Sequence, residues 1–254
     1  MRLTQEPLLP AGWPACVQVR QTYRSHPANV TARHSSKDAD STDLVYGAFN
    51  LALHVGDDPA SVLANRAALL DLIDANQISW VNQVHGTAIH KLRKTIGDPQ
   101  VPDADAQLTS IKGSALAIMS ADCLPIVLTD RAGTQIAVIH AGWRGLLAGI
   151  IEKTTLLMSE PGFGFIGAAV QQPSFEVGGE VRKAFVQADV SMGRHFVAHG
   201  DKFLADLPAI ALDKLRALEI SAAHDPKCSF VSPECYSYRR SVVTGRMAVL
   251  AWIG

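Results

Sequence analysis

A chain of 254 residues, 48% hydrophobic and 19% charged, can bury a large core and lies far from the composition of a disordered segment. Its net charge of −1 excludes a global field that would draw nucleic acid or an anionic membrane surface. Four cysteines (Cys16, Cys123, Cys228 and Cys235) are too sparse for a disulfide framework, and Pro10 and Pro14 interrupt an N-terminus without a leader-like apolar core, so a reduced, cytoplasmic protein is expected.

No internal repeat or low-complexity linker divides the sequence, which favours one domain over residues 1–254. From Arg24 to Asp43 the chain is polar and aperiodic, a long loop of the kind that is often functional. Pro59 to Asp74 then places Val62, Leu63, Leu69, Leu70 and Ile73 at helical spacing, with Ser61 as the expected cap. Ile78 to Val84 alternates apolar and polar residues and reads as a strand ending at His85-Gly86. In "IMSADCLPIVL" (118–128), two apolar runs broken at Asp122 and Pro125 read as strand, turn and strand. After a turn at Arg131–Gly133 another strand stops at Gly142, and a helix is expected through "LLAGIIEKTTLLM". The stretch Ile136–Ile151 is the most apolar, yet it contains His140 and Arg144 and is too short to span a bilayer. "GFIGAAV" suits a strand, "GGEVRKAFVQAD" and "FLADLPAIALDKLRALEI" suit amphipathic helices, and "RMAVLAWIG" closes as a strand. The class is therefore α/β.

Three residues stand where apolar strands end: His85 in "NQVHG", Cys123 in "ADCLP" and His140 in "IHAGWRG". Each is followed within two residues by Gly or Pro, and strand ends are where α/β folds assemble sites. Two imidazoles and a thiolate form a zinc-type ligand set with a fourth position open. Spacings of 38 and 17 residues match no local metal motif, so two other readings stay open: a Cys123 nucleophile with a histidine base, and three unrelated core or loop residues. At "HAGWRG", Gly142 and Gly145 bracket Trp143 and Arg144 at a strand-to-helix turn, where free backbone N–H groups and an arginine favour an anion; a plain tight turn is the alternative. Tyr236, Tyr238, Arg239 and Arg240 could stack on a flat ring and hold phosphate, or form an edge strand with a charged end.

Taken together, "FNLALHVGDDP…NR", "WVNQVHG", "DADAQLT", "ADCLPIVL", "HAGWRGLLAGIIE", "FEVGGEV", "GDKFLADL" and "YSYRR…TGRMA" resemble the bacterial laccase-domain family, in the same order from about Trp13 to the end. Members of that family have been described as polyphenol oxidases, as peptidoglycan editing factors and as zinc-dependent purine nucleoside phosphorylases with adenosine deaminase activity. The resemblance implies a single-domain α/β sandwich with mixed β-sheets flanked by helices, similar to the catalytic domain of cytotoxic necrotising factor. It implies His85, Cys123 and His140 as zinc ligands, with a small-molecule nucleoside and phosphate as partners and no nucleic acid or membrane. Substrates would be adenosine and inosine, with methylthioadenosine a further candidate. Arg144 and Arg24 (or Arg33 in place of Arg24) would orient phosphate, and Asn50 and His54 are candidate ribose or proton-transfer residues, or structural members of a polar turn.

Two departures from the family pattern stand out. The segment after Thr22 is longer than usual and lacks a glycine pair, and "IGAAVQQPS" (166–174) carries Ala168, Gln171 and Gln172 where two glycines and a proline are expected. Nine histidines without one His-X-His pair argue against a trinuclear copper cluster, although a single His₂Cys copper with Met119 as axial ligand fits the residues present. Hydrolysis of peptidoglycan precursors, copper-dependent phenol oxidation and an inactive zinc-binding regulatory domain are the competing functions.

Overall fold

The computed structural model describes residues 7–24, 45–93 and 101–254, so most of the long polar loop, including Arg33, lies outside the described residues. Its strands in chain order are β1 (Val17–Gln21), β2 (Gln77–Ser79), β3 (Ile89–Leu92), β4 (Ala106–Thr109), β5 (Ser114–Ser120), β6 (Leu124–Asp130) and β7 (Ile136–Ala141). They are followed by β8 (Pro161–Ile166), β9 (Glu176–Val177), β10 (Phe196–His199), β11 (Lys202–Ala205), β12 (Ser221–His224) and β13 (Met247–Ile253). The helices are α1 (Pro59–Asp71), α2 (Trp143–Leu147), α3 (Ile150–Thr155), α4 (Gly179–Ala188) and α5 (Leu207–Ala217).

Two mixed sheets carry the architecture: a four-stranded sheet in the order β1-β13-β5-β2 and a six-stranded sheet in the order β12-β8-β6-β7-β4-β3. A small antiparallel sheet, β10-β11-β9, stands beside them. β5, β6, β7 and β13 are buried along their whole length, so their apolar runs lack the polar-out alternation of a solvated strand. Period-two geometry divides each strand between two layers. Leu116 and Ile118 of β5 meet Val127, Ile136 and Val138 of the six-stranded sheet, forming the intersheet core with Phe165. Ala115, Ala117 and Met119 face outward onto Phe49, Leu51 and Leu69 of α1. On the other outer face, Ile126, Leu128 and Ile139 pack on Leu146, Ile150, Phe185, Ile210 and Leu215 from the helices. The result is the expected α/β sandwich of mixed sheets flanked by helices.

Local differences from the sequence reading have physical causes. α1 begins where expected, but its cap is Asp58, whose carboxylate accepts from the N–H groups of Ala60 and Ser61. Leu63, expected on its apolar face, points to solvent. The helix expected after Gly142 is broken into α2 and α3 at Gly149, whose φ of 79° is left-handed. "FLA" (203–205) belongs to β11, and α5 starts only after Asp206, which caps it by accepting from Ala209 N–H. The strand expected over 78–84 stops at Ser79. Beyond it the Gln83 side chain supplies the pairing, donating to Met119 C=O at 2.7 Å and accepting from Met119 N–H at 2.8 Å.

Candidate metal centre

The chain passes from the four-stranded to the six-stranded sheet through Ala121–Cys123, between the end of β5 and the start of β6. Asp122 holds this crossing at a φ of 107°, outside the range most side chains adopt. Its carboxylate accepts from Ser229 Oγ at 2.6 Å and from Arg239 N–H at 2.7 Å, which pins the turn.

β6 starts beside the end of β7, with Leu124 opposite Ala141 and Pro125 opposite His140, so Cys123 falls next to Gly142. A side-chain carbon added at Gly142 would stand 3.1 Å from Cys123 Sγ and 3.4 Å from His85 Cδ2; glycine keeps that hollow open. The His85 and His140 rings meet edge-on, 4.8 Å between centroids at an interplanar angle of 81°. The ligand atoms of His85, Cys123 and His140 all lie within 4.8 Å of one another, close enough to hold a metal ion. Among the described residues this is the one group of three or more His, Cys, Asp or Glu side chains so placed. His140 is buried, Cys123 half-buried and His85 exposed, which leaves the His85 side open. Met119 faces the α1 side of its sheet, its sulfur 3.8 Å from Arg66 Nη2.

Asp105 organises the trio and was missed in the sequence. It is fully buried just before β4, opposite His140, and one oxygen lies 2.8 Å from His140 Nδ1. That contact leaves Nε2 for the cluster. The same carboxylate accepts from the N–H groups of Val84, His85 and Gly86 at 3.3, 2.9 and 2.6 Å, fixing the loop that carries His85 at a φ of 60°. Burial alone would push the Asp105 carboxyl up, but the bonds from His140, Gly86 and His85 hold it below the usual carboxylate range.

The three side chains shift one another's protonation. Burial would raise the Cys123 thiol, yet the charge and hydrogen bonds of His140, followed by those of His85, bring it down to about 6. Burial would lower His140, but Cys123 and Asp105 raise it to about 9. Metal binding requires thiolate and neutral imidazole. Near pH 7.5 Cys123 is already deprotonated whereas His140 carries a proton, so loading zinc is expected to release about one proton from this pair. That contribution vanishes above pH 9 and grows below pH 6, where Cys123 regains its proton and affinity drops. Calorimetric titration in buffers of different ionisation enthalpy reads the count; a pH-independent count would show that the pair does not ligate.

The other expected site residues lie on separate segments of the chain. Arg144 lies two residues past Gly142, exposed, with its guanidinium 4.3 Å from the centre of the Trp143 ring. Arg24 lies 5.9 Å from the Tyr236 ring centre. Asn50 is fully buried, and its amide is engaged with Ala52, Asp57 and the Arg246 N–H, tying a loop to the start of β13. His54 is exposed, and its pKa is lowered by partial burial and by the charges of Arg246 and Arg66. Neither arginine was singled out in the sequence as a site residue.

The C-terminal tyrosine and arginine cluster is structural in large part. Tyr236 is fully buried and donates to Tyr46 C=O. Arg240 donates to the carbonyls of Ser229, Phe230 and Ser232, and Arg239 to that of Glu176. Only Tyr238 of this set is a half-exposed ring. The divergent 166–174 segment is stitched to the cysteine turn by Val170 N–H donating to Asp122 C=O at 3.0 Å. On its other side Gln171 N–H lies 3.4 Å from Cys228 Sγ.

No helix among the described residues is long and apolar enough to cross a membrane. Residues 28–254 match the profile of a family described as multi-copper polyphenol oxidoreductase laccase. The chain is 37% identical to the purine nucleoside phosphorylase YfiH of Escherichia coli over 234 residues, covering 89% of this chain and 95% of that protein. It is 40% identical to a purine nucleoside phosphorylase of Pseudomonas aeruginosa over 235 residues, with the same coverage. A Neisseria meningitidis protein of known crystal structure superposes with a TM-score of 0.85 at 32% identity, covering 98% of this chain and 99% of that one. The length of these matches and the shared fold lead to one conclusion: the chain belongs to the laccase-type family, which its curated relatives represent as purine nucleoside phosphorylases.

Proposed function

We propose that this protein is a zinc-dependent purine nucleoside phosphorylase acting on adenosine and inosine, with methylthioadenosine as a further substrate and deamination of adenosine as a second activity. The observation that carries this reading is the His85–Cys123–His140 cluster, open on its His85 side, in a chain closely similar to proteins named purine nucleoside phosphorylases. One thiolate and two imidazoles suit zinc, and the hollow kept by Gly142 gives the three donors room. When bound, the ion supplies a concentrated positive charge that can polarise an oxygen ligand.

Phosphorolysis forms a bond between a phosphate oxygen and ribose C1′ as the C1′–N9 bond breaks. The electron pair stays on the purine, and the proton released by hydrogenphosphate balances it there. The protein's tasks are to hold phosphate against C1′, to exclude water and to favour the leaving purine. Arg144, exposed two residues past Gly142, can draw the phosphate anion toward the site, with Arg24 a second candidate. Lowered in pKa, His54 is neutral near pH 7 and can exchange a proton with a ribose hydroxyl or the base.

The test is incubation of zinc-loaded protein with adenosine or inosine, with and without phosphate. Adenine or hypoxanthine should appear with ribose 1-phosphate only when phosphate is present, and inosine formed from adenosine without phosphate marks the deaminase. Full zinc occupancy without turnover of any nucleoside would overturn the reading. Release of an amino acid from a cell-wall precursor, or oxidation of a phenol by the copper-loaded protein, would replace it.

A further inference from the structure

Two half-buried arginines, Arg66 and Arg246, are anchored near the metal centre, where Cys123 and Asp122 act on Arg246 at a distance without pairing with it. Arg66, on α1, donates from Nε to Leu51 C=O at 2.8 Å, and its guanidinium lies 4.0 Å from the centre of the Trp80 ring. Its Nη2 lies 3.8 Å from Met119 Sδ, near the end of β5 that leads into the cysteine turn. Arg246 immediately precedes β13. Because Met247 pairs with Ser120, Arg246 falls opposite Ala121, at the mouth of the turn carrying Cys123. Its Nη1 donates to the carbonyls of Thr244 and Gly245 at 2.9 and 3.0 Å.

Both arginines are fastened to the same short loop. Arg66 reaches Leu51 C=O, Arg246 N–H reaches Asn50 Oδ1 at 2.9 Å, and Leu51 N–H reaches Arg246 C=O at 3.4 Å. Among the described residues neither guanidinium forms an ion pair, unlike Arg194 and Arg216, which share Asp213. Burial lowers Arg66 to about 10 and lowers Arg246 as well, and the nearby His54 is neutral rather than a third cation. A half-buried guanidinium without a carboxylate in direct contact is costly to keep, and a bound anion offsets that cost. Neutral carbonyls, a thioether and an aromatic face pin the two side chains while leaving their charge available.

We propose that Arg66 and Arg246 form an oxyanion subsite beside the metal centre that takes inorganic phosphate; as the place of the phosphate co-substrate, it rests on the phosphorolysis reading above. Two guanidiniums from separate elements match a tetrahedral dianion better than a planar carboxylate, because each can take a different edge. By contrast Arg144 is exposed over Trp143, where water competes for its donors.

Equilibrium dialysis with radiolabelled inorganic phosphate tests the subsite independently of turnover. Arg66→Lys and Arg246→Lys should each weaken phosphate binding by about tenfold, because an ammonium cannot reproduce the fork. Arg182→Lys, at a remote arginine lying 5.1 Å from the Phe203 ring, should bind as wild type. In turnover assays the KM for phosphate should rise with less than about threefold change in the nucleoside KM. Thermal melts identify a variant that is misfolded, and the other arginine then decides. Unchanged phosphate binding in the folded variants, no binding by wild type at millimolar phosphate, or a larger loss in Arg144→Lys or Arg24→Lys would overturn the proposal. If wild type binds phosphate through these arginines but cleaves no nucleoside, the subsite stands and the phosphorylase reading falls.

Discussion

Cys123→Ala is expected to leave a folded protein that retains under about a tenth of its zinc and turns over nucleosides at least about a hundredfold more slowly. The sulfur supplies the one anionic donor of the trio, and its half-buried place beside Gly142 leaves no nearby group to replace it. Losing one small half-buried side chain costs folding stability only about 1 kcal/mol, so the melting transition of the metal-free protein should move little. The measurements are zinc content after gel filtration and initial rates at saturating phosphate. They also separate the three roles a thiol could have here. A ligand loses both metal and rate, a nucleophile loses rate while metal content holds, and a core filler loses neither. Unchanged zinc content would refute the ligand assignment.

The second large effect belongs to Asp105→Asn. Asp105 accepts four donors with two oxygens: His140 Nδ1 and His85 N–H on Oδ1, and Gly86 N–H and Val84 N–H on Oδ2. An amide has one oxygen, so its NH₂ group must face either the His140 ring or the 84–86 N–H groups, donor against donor. Zinc affinity is expected to fall by about 10- to 100-fold, the usual effect of removing a partner that orients a metal-binding histidine. Stability should fall by about 1–3 kcal/mol because the lost acceptor is fully buried. Competition against a chromophoric chelator measures the first effect and thermal denaturation the second. Destabilisation with unchanged zinc affinity would reduce Asp105 to a loop anchor.

What the sequence reveals here follows from the range of the interactions. The strand–turn–strand around Cys123 is legible because uninterrupted apolar runs break at Asp122, and both strands proved buried along their full length. The three candidate ligands are legible as residues at strand ends. Asp105 and Arg246 are not, because their roles depend on register between strands distant in sequence: β4 against β7 for Asp105, and β13 against β5 for Arg246. A carboxylate before an apolar strand carries no mark of the histidine 35 positions away that it will meet. The break at Gly149 was hidden for a similar reason, since a lone glycine in a helical pattern is often tolerated.

The turn that carries Cys123 is also one of the covalent crossings between the two large sheets. Ligand spacing is thereby tied to how one sheet rests on the other. The side chains between them, Phe165 and Ile118 among them, act as spacers for a chemistry they never touch. Substitutions that thin or thicken that layer are inherited by the metal centre as a change of bite. In this fold tolerance of the intersheet core and tolerance of the site are one constraint, and variation that leaves catalysis intact should concentrate in the helical layers outside it.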